Sequence, residues 1–322
     1  MESNTFRTLD LLMHGGDKVE LTIDKPRKPR KKLKETSGTA VFLFLGPTLL
    51  FLAIFFLFPL IATIYLSFHQ WDLLGPALDA PFSGWDNYKI LMSDGRFLKA
   101  LTNTFLFVLA NLIFMPLLAL GIAYLLNEVK VMAWFWRLLF FLPVITSAVA
   151  MSLVWQYIFD PTYGPLNELL KAFGLAPQGW IMSTKLSLVS VVIVSLWQGI
   201  GYHAIIYLAG LQGISEDYYE AAKIDGAGAW RRLLSITIPL LKPTSVFVLV
   251  MVAINAFQAF TQFYVMTNGG PMDSSNVLGL YIYQTAFDFL NMGKAASMSV
   301  IMFVLVIAFS FVQFKMMRQQ EE

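Results

Sequence analysis

Six stretches of this chain are apolar almost without interruption: residues 40–68, 101–127, 138–159, 186–213, 243–267 and 295–314. None contains Asp, Glu, Lys or Arg. About 20 apolar residues cross a hydrocarbon layer as a helix, and a helix satisfies its own backbone where no water can. The pattern predicts an all-α integral membrane protein with six transmembrane helices and both termini on one side. It divides the chain into a polar tail over 1–37, a transmembrane domain over 38–318 and a short end over 319–322.

The stretch between the fourth and fifth runs, about 214–242, is patterned differently. Ser215, Glu216 and Asp217 form a helix start, a capping hydroxyl followed by acids where the helix dipole favours negative charge. Glu220, Ala221 and Ala222 continue that helix with a thin side. Asp225-Gly226 ends it, because Gly accepts the left-handed backbone of a helix end. A second helix is expected over 227–238, with Trp230, Leu233, Leu234 and Thr237 near one face. Pro239 and Pro243 restrict the entry to the fifth run. The result is a helix–turn–helix at the membrane surface. It is either an amphipathic connector resting on its own bundle or a surface that another protein's groove approaches closely.

Charge orients the chain. Nine Lys and Arg lie in the tail, two between the second and third runs (Lys130, Arg137), four in the 214–242 loop (Lys223, Arg231, Arg232, Lys242) and two at the end (Lys315, Arg318). The opposite loops hold six. The positive-inside rule therefore makes both termini and the loop cytoplasmic. The run from Lys25 to Lys34 suits anionic lipid better than nucleic acid in this position. Phe6, Leu9, Leu12 and Met13 suggest a short interfacial helix ended by Gly15-Gly16, and no apolar stretch at the front suggests a cleavable signal. Trp71, Trp85, Trp155 and Trp180 fall near the outer interface as an aromatic belt.

Composition removes several chemistries. The 322 residues are 57% hydrophobic and 14% charged, against about 45–50% and about 25% in soluble proteins. There is no Cys, so neither a disulfide framework nor a thiolate metal site can form. His14, His69 and His203 are too scattered to argue a metal site, and no nucleophile–base arrangement is visible. No Gly-x-x-x-x-Gly-Lys-Ser/Thr string occurs, so the chain lacks a phosphate-cradling loop of its own.

Glu220-Ala221-Ala222, three residues, Gly226, nine residues, then Ile236-x-x-Pro239 resembles the EAA loop of ABC importer membrane subunits, with Ile238 in place of the usual Leu. The resemblance covers roughly residues 41–318. The 58–68 segment, Ser83-Gly-Trp-Asp-Asn-Tyr88, Asp160-Pro-Thr-Tyr-Gly-Pro-Leu-Asn167 and Thr267-Asn-Gly-Gly-Pro271 look like the core and outer segments of MalF-like carbohydrate-uptake permeases. The resemblance implies a permease of the bacterial inner membrane, without catalysis or a cofactor of its own, that imports a sugar or oligosaccharide. It implies a MalG-like second permease, an ATP-binding subunit dimer that holds ATP and Mg, and an extracytoplasmic solute-binding protein. Glu220, Ala221, Ala222, Asp225 and Gly226 would couple to the ATPase. The alternatives are a stand-alone secondary transporter or channel, for which intramembrane charges would be expected, and a membrane enzyme, for which convergent acid and base groups would be.

Polar residues at membrane depth mark candidate function. In the fourth run these are Trp197, Gln198, Gly199, Tyr202 and His203, with Gly199 allowing close approach or a helix break. In the fifth, Asn255, Gln258 and Gln262 recur at i, i+3 and i+7, one stripe of a helix. Amides and aromatic faces suit a sugar, yet Asn and Gln also join helices to one another. His203 is read as a satisfied core side chain. By family spacing Gly199 and Tyr202 fall at sugar-contacting positions, whereas Leu196 stands where an Asn is expected. Gln198, Gly199, Tyr202, Asn255 and Gln258 are the candidate substrate contacts.

Overall fold

A computed structural model describes residues 38–129 and 131–318. The basic tail, the helix expected near Phe6, Lys130 and the last four residues lie outside the described residues. Among those described, regular structure is helical, and the β pairing is a single bridge between His69 and Phe82. The chain divides into two compact units, residues 1–54 and 55–322. Of the first, helix α1 (Gly38–Leu52) is described; it is apolar and contains Pro47.

The second unit holds α2 (Phe58–Ser67), α3 (Asp86–Ser93), α4 (Gly95–Glu128), α5 (Ala133–Ile145), α6 (Ala148–Ile158), α7 (Pro165–Ala172) and α8 (Ser187–Gln212). It continues with α9 (Glu216–Ile224), α10 (Ala229–Arg232), α11 (Ile238–Leu240), α12 (Lys242–Phe257), α13 (Thr261–Met266), α14 (Leu278–Tyr283) and α15 (Met292–Arg318). Among the described residues four stretches, Leu43–Ser67, Gly95–Glu128, Ser187–Gln212 and Met292–Gln313, are each long and apolar enough to cross a membrane, and counting each of two bent helix pairs as one span gives up to six.

The bent pairs correct the picture of six simple rods. The third run is two helices, α5 and α6, turned by 97° at Thr146-Ser147. Pro143 in the last turn of α5 has no N–H to donate, and Thr146 Oγ1 donates to the Pro143 carbonyl at 2.7 Å as the backbone leaves the helix. The other bent pair is Ala229–Leu240 with Lys242–Phe257, at 68°. Pro239 and Pro243 flank that corner, and Pro243 stands near the start of α12, where the missing N–H costs nothing. The fifth run is not continuous either: α12 ends at Phe257, and α13 begins at Thr261.

Small residues bring the central helices together. The α4–α8 contact is the most extensive between helices among the described residues. Ala119, Ala123 and Ala204 are fully buried there in one cluster with Tyr207, Leu208 and Val252, as expected where helix association depends on close backbone approach. Gly201 goes further: a Cβ there would collide with the Phe140 carbonyl of α5. Many large apolar side chains on the outer faces, Phe44, Phe58, Leu117 and Phe311 among them, are exposed as lipid-facing residues are.

The segments that connect the long helices around residues 67–103, 160–167 and 268–294 are held by polar side chains. Asp94 caps α4 by accepting from the Arg96 and Phe97 amides and also accepts from Tyr281 Oη and Lys294 Nζ, both at 2.7 Å. Burial alone would raise the Asp94 carboxyl, but these two donors together hold it below its ordinary value of 3.8. Arg96 makes a bidentate pair with Asp273 at 2.9 Å, and Asn103 donates to the carbonyls of Asp273 and Asn276. Asp273 is held low in the same way, burial being outweighed by Arg96 and Asn276. This clasp joins the starts of α4 and α15 to the loop before α14. The motifs at 83–88 and 160–167 have structural roles as well. Asn87 Nδ2 donates to the Ser67 and His69 carbonyls, and Asp160 Oδ1 accepts from the Thr162 and Tyr163 amides, which lowers its pKa.

Candidate functional site

The polar residues of the fourth and fifth runs converge. Gln198, Gly199, Tyr202, Asn255 and Gln258 all line one cavity of about 390 Å³, together with His203 and Gln262. Helix α8 places the first three and His203 within about a turn and a half. It runs without interruption through Gly199, so that residue permits approach and makes no break: a Cβ there would meet Met115 Cε at 2.7 Å.

The break lies in the fifth run instead, and it corrects the expected stripe. Asn255 stands in the last turn of α12, Gln258 is the residue that caps it, and Gln262 is in α13. Residues 258–261, where the backbone leaves and re-enters helical geometry, line the cavity themselves. Irregular backbone at membrane depth is tolerated where it borders such a space. Gly279 of α14 makes room for it, since a Cβ there would press on the Ala259 carbonyl at 3.1 Å.

Gln262 Nε2 donates to Gln198 Oε1 at 2.9 Å, which ties α13 to α8 across the cavity. Trp197 does not line it; its ring meets Trp155 edge-on, with centroids 5.4 Å apart. Asn111 of α4 and Ser195 of α8 do line it, and Ser195 Oγ donates to Asn111 Oδ1 at 3.2 Å. Both escaped the sequence reading, although an Asn inside an apolar run was the same signal that found the others. The expected satisfied role of His203 is also corrected: the ring is buried, and its Nδ1 has no hydrogen-bond partner among the described residues. Among the described residues no group of three or more His, Asp or Glu could hold a metal ion.

The 214–242 loop begins as its sequence predicts. Ser215 caps α9, its hydroxyl accepting from the Asp217 amide at 3.3 Å. The Ala227 amide reaches back to the Ala222 carbonyl at 2.8 Å and the Gly226 amide to that of Lys223 at 3.1 Å, with Gly226 at φ +75°. That pair of bonds closes the helix through a left-handed glycine. Glu220, Ala221, Asp225 and Gly226 are exposed and Ala222 is half-buried. The second helix departs from expectation: it starts at Ala229, widens into a π turn over Leu233–Thr237 and continues to Leu240. Pro239 cannot donate to the carbonyl four residues back, and the wide turn precedes it. Tyr219 Oη and Thr237 Oγ1, 3.0 Å apart, tie the two helices together. Ile224 and Trp230 are strongly exposed.

Comparison with known proteins identifies the family to which the chain belongs. Residues 95–318 match the family described as "Binding-protein-dependent transport system inner membrane component". The chain is 35% identical over 285 residues to the probable ABC transporter permease protein YurN of Bacillus subtilis, covering 87% of this chain and 97% of that one. It is 34% identical over 298 residues to the lactose transport system permease protein LacF of Rhizobium radiobacter, covering 91% and 98%. In fold it resembles a chain of a bacterial ABC transporter involved in the import of the acidic polysaccharide alginate, with TM-score 0.76 at 22% identity over 87% and 95% of the two chains. The chain belongs to the binding-protein-dependent transport system inner membrane components, the non-enzymatic permease subunits of ABC importers.

Proposed function

We propose that this permease forms half of the translocation pathway of an importer for a sugar or oligosaccharide. The observation that carries this reading is the convergence of Gln198, Tyr202, Asn255 and Gln258 on one cavity at membrane depth. Amide groups supply donors and acceptors for hydroxyls, and the Tyr202 ring offers a face or edge for a pyranose. The lactose permease among its relatives points the same way.

The partners are a second, MalG-like permease, a dimer of ATPase subunits that bind ATP and Mg, and an extracytoplasmic solute-binding protein. The loop over 214–242 is the coupling element, with both termini on its cytoplasmic side. Its exposed α9, ended by Gly226 and braced through Tyr219 and Thr237, presents a preformed helix to an ATPase groove. Closure of the ATPase dimer moves this helix, and the bundle exchanges inward for outward access around the cavity. The test is purification from mild detergent, followed by reconstitution. Recovery with a second permease and an ATPase, and ATP-dependent saccharide uptake, is the expected result. Recovery alone, with uptake that needs no ATP, would refute the reading.

A further inference from the structure

We propose that Tyr219 and Thr237 form a positioning latch, which fixes α9 against the joined ends of α8 and α12 and so turns motion of a docked ATPase into motion of the cavity walls. The inference rests on the importer reading and names the residues that make its coupling loop rigid.

The ends of α8 and α12 nearest the loop form one packed base. Leu241, just before α12, is buried in one cluster with Leu208 and Leu211 of α8 and Val248 of α12. Gly210 of α8 lets the two helices close up: a Cβ there would meet Thr244 Oγ1 at 2.7 Å and Leu241 Cδ2 at 2.9 Å. The same two helices carry Gln198, Tyr202 and Asn255 to the cavity. Whatever tilts this base moves the cavity walls with it.

Helix α9 is attached to the base at its two ends, each through a short non-helical joint. Residues 213–215 lead in from α8, and residues 225–228 lead out to the second helix of the loop. The second joint is compliant. Both Gly226 and Gly228 stand in open space, with nothing within 4 Å of a Cβ built on either, and glycine restrains its backbone least. Two points of attachment leave a helix free to swivel about the line between them. A third point removes that freedom.

The Tyr219–Thr237 bond supplies the third point. Tyr219 is the fourth of the nine residues of α9 and is half-buried, while its neighbours Glu220 and Ala221 are exposed. Thr237 closes the π turn of the second helix and is fully buried. The two hydroxyl oxygens are 3.0 Å apart, and Thr237 Oγ1 lies 3.5 Å from the Arg232 carbonyl. A carbonyl can only accept, so the Thr237 proton is directed to Arg232 and the Tyr219 hydroxyl donates to Thr237. The Thr237 carbonyl in turn accepts from the Leu241 amide at 2.9 Å, which ties the latch to the base. Among the described residues no other side-chain hydrogen bond and no ion pair joins α9 to residues 229–240.

The experiment uses the complete importer, co-purified with its partner subunits and reconstituted in liposomes with its binding protein. The probes are labelled mono-, di- and trisaccharides, and the one that the parent accumulates most with ATP is carried forward. The quantity read is ATP hydrolysed per saccharide taken up. Tyr219→Phe removes one hydroxyl and keeps the ring, and it is expected to raise this ratio about three- to tenfold with KM for the saccharide unchanged. Thr237→Val is expected to do the same. Thr237→Ser, which keeps the hydroxyl, is expected to stay within about twofold of the parent. The double variant Tyr219→Phe/Thr237→Val is expected to be no worse than the worse single one, since both remove the same bond.

A bond that merely stabilised the loop would lower hydrolysis and uptake in proportion and leave their ratio alone. That result, or a parental ratio in Tyr219→Phe, would overturn the latch while leaving the importer reading intact. If the buried Thr237→Val does not assemble, Tyr219→Phe carries the test by itself. A parent that accumulates none of the saccharides with ATP would overturn both the importer reading and the latch.

Discussion

Gly226 offers the sharpest test of the coupling loop, because the structure separates its conformational role from any steric one. Its φ is +75°, and a Cβ built there meets nothing within 4 Å. Gly226→Ala therefore costs only the left-handed backbone, about 1–2 kcal/mol for an L-residue. Asn tolerates that region better than Ala does. Pro cannot adopt this φ and also deletes the amide that reaches Lys223, so Gly226→Pro removes the whole end-cap. Helix α9 has nine residues, too few to persist without its caps and packing. We predict that substrate-stimulated ATPase activity of the assembled complex falls in the order Gly, Asn, Ala, Pro. A loss of about 1–2 kcal/mol weakens docking about 5- to 30-fold for Ala, and for Pro coupling is expected to be abolished. Substrate affinity of the solubilised complex is expected to be unaffected throughout. Full stimulation in Gly226→Pro would refute the account of this loop.

Three further expectations concern other parts of the molecule. Tyr202→Ala and Gln258→Ala should reduce saccharide uptake at limiting substrate while sparing assembly with the partner subunits; normal uptake by both would remove them from the site. Gly201→Ala should lower the thermal midpoint of the purified complex far more than Gly199→Ala. The first drives a methyl into the rigid Phe140 carbonyl, the second only against the flexible end of Met115; equal shifts would argue against the α8–α5 contact. The Asp94 carboxyl titrates below its unfolded value of 3.8 in the folded chain. The clasp's contribution is therefore complete above that value and is lost as pH falls through the lower, folded one. Thermal unfolding measured from neutral pH down to about 3 should show this loss in the parent and a smaller one in Asp94→Asn; identical profiles would refute it.

The apolar runs announced the all-helical class because a spanning helix must be apolar over its length, a local property of composition. The α9 caps were legible for a related reason: Ser215 and Gly226 act within a few residues of themselves. What escaped were features decided between helices. Nothing local marks the break at 258–260, where no proline stands; the missing Cβ of Gly279, some twenty residues on, makes room for it. Pro143 did stand at the other break, but it is tolerated inside many membrane helices, so its presence alone does not predict a 97° turn. The candidate cavity residues were recognised as polar groups in an apolar run, yet their meeting depends on α8 and the end of α12 lying side by side. Asn111 carried the same signal, but it was the only polar member of its helix to reach the cavity wall, and no periodicity drew attention to it.

The interruption between α12 and α13 also changes what side-chain replacement can reveal. The last carbonyls of one helix and the first amides of the next have no intrahelical partners, and here those chain ends border the same space as Gln258 and Gln262. Part of the hydrogen-bonding surface offered to a passing hydroxyl is therefore main chain, common to every variant. Truncating one amide after another should wear affinity down stepwise towards a floor, with discrimination among sugars fading before binding itself does.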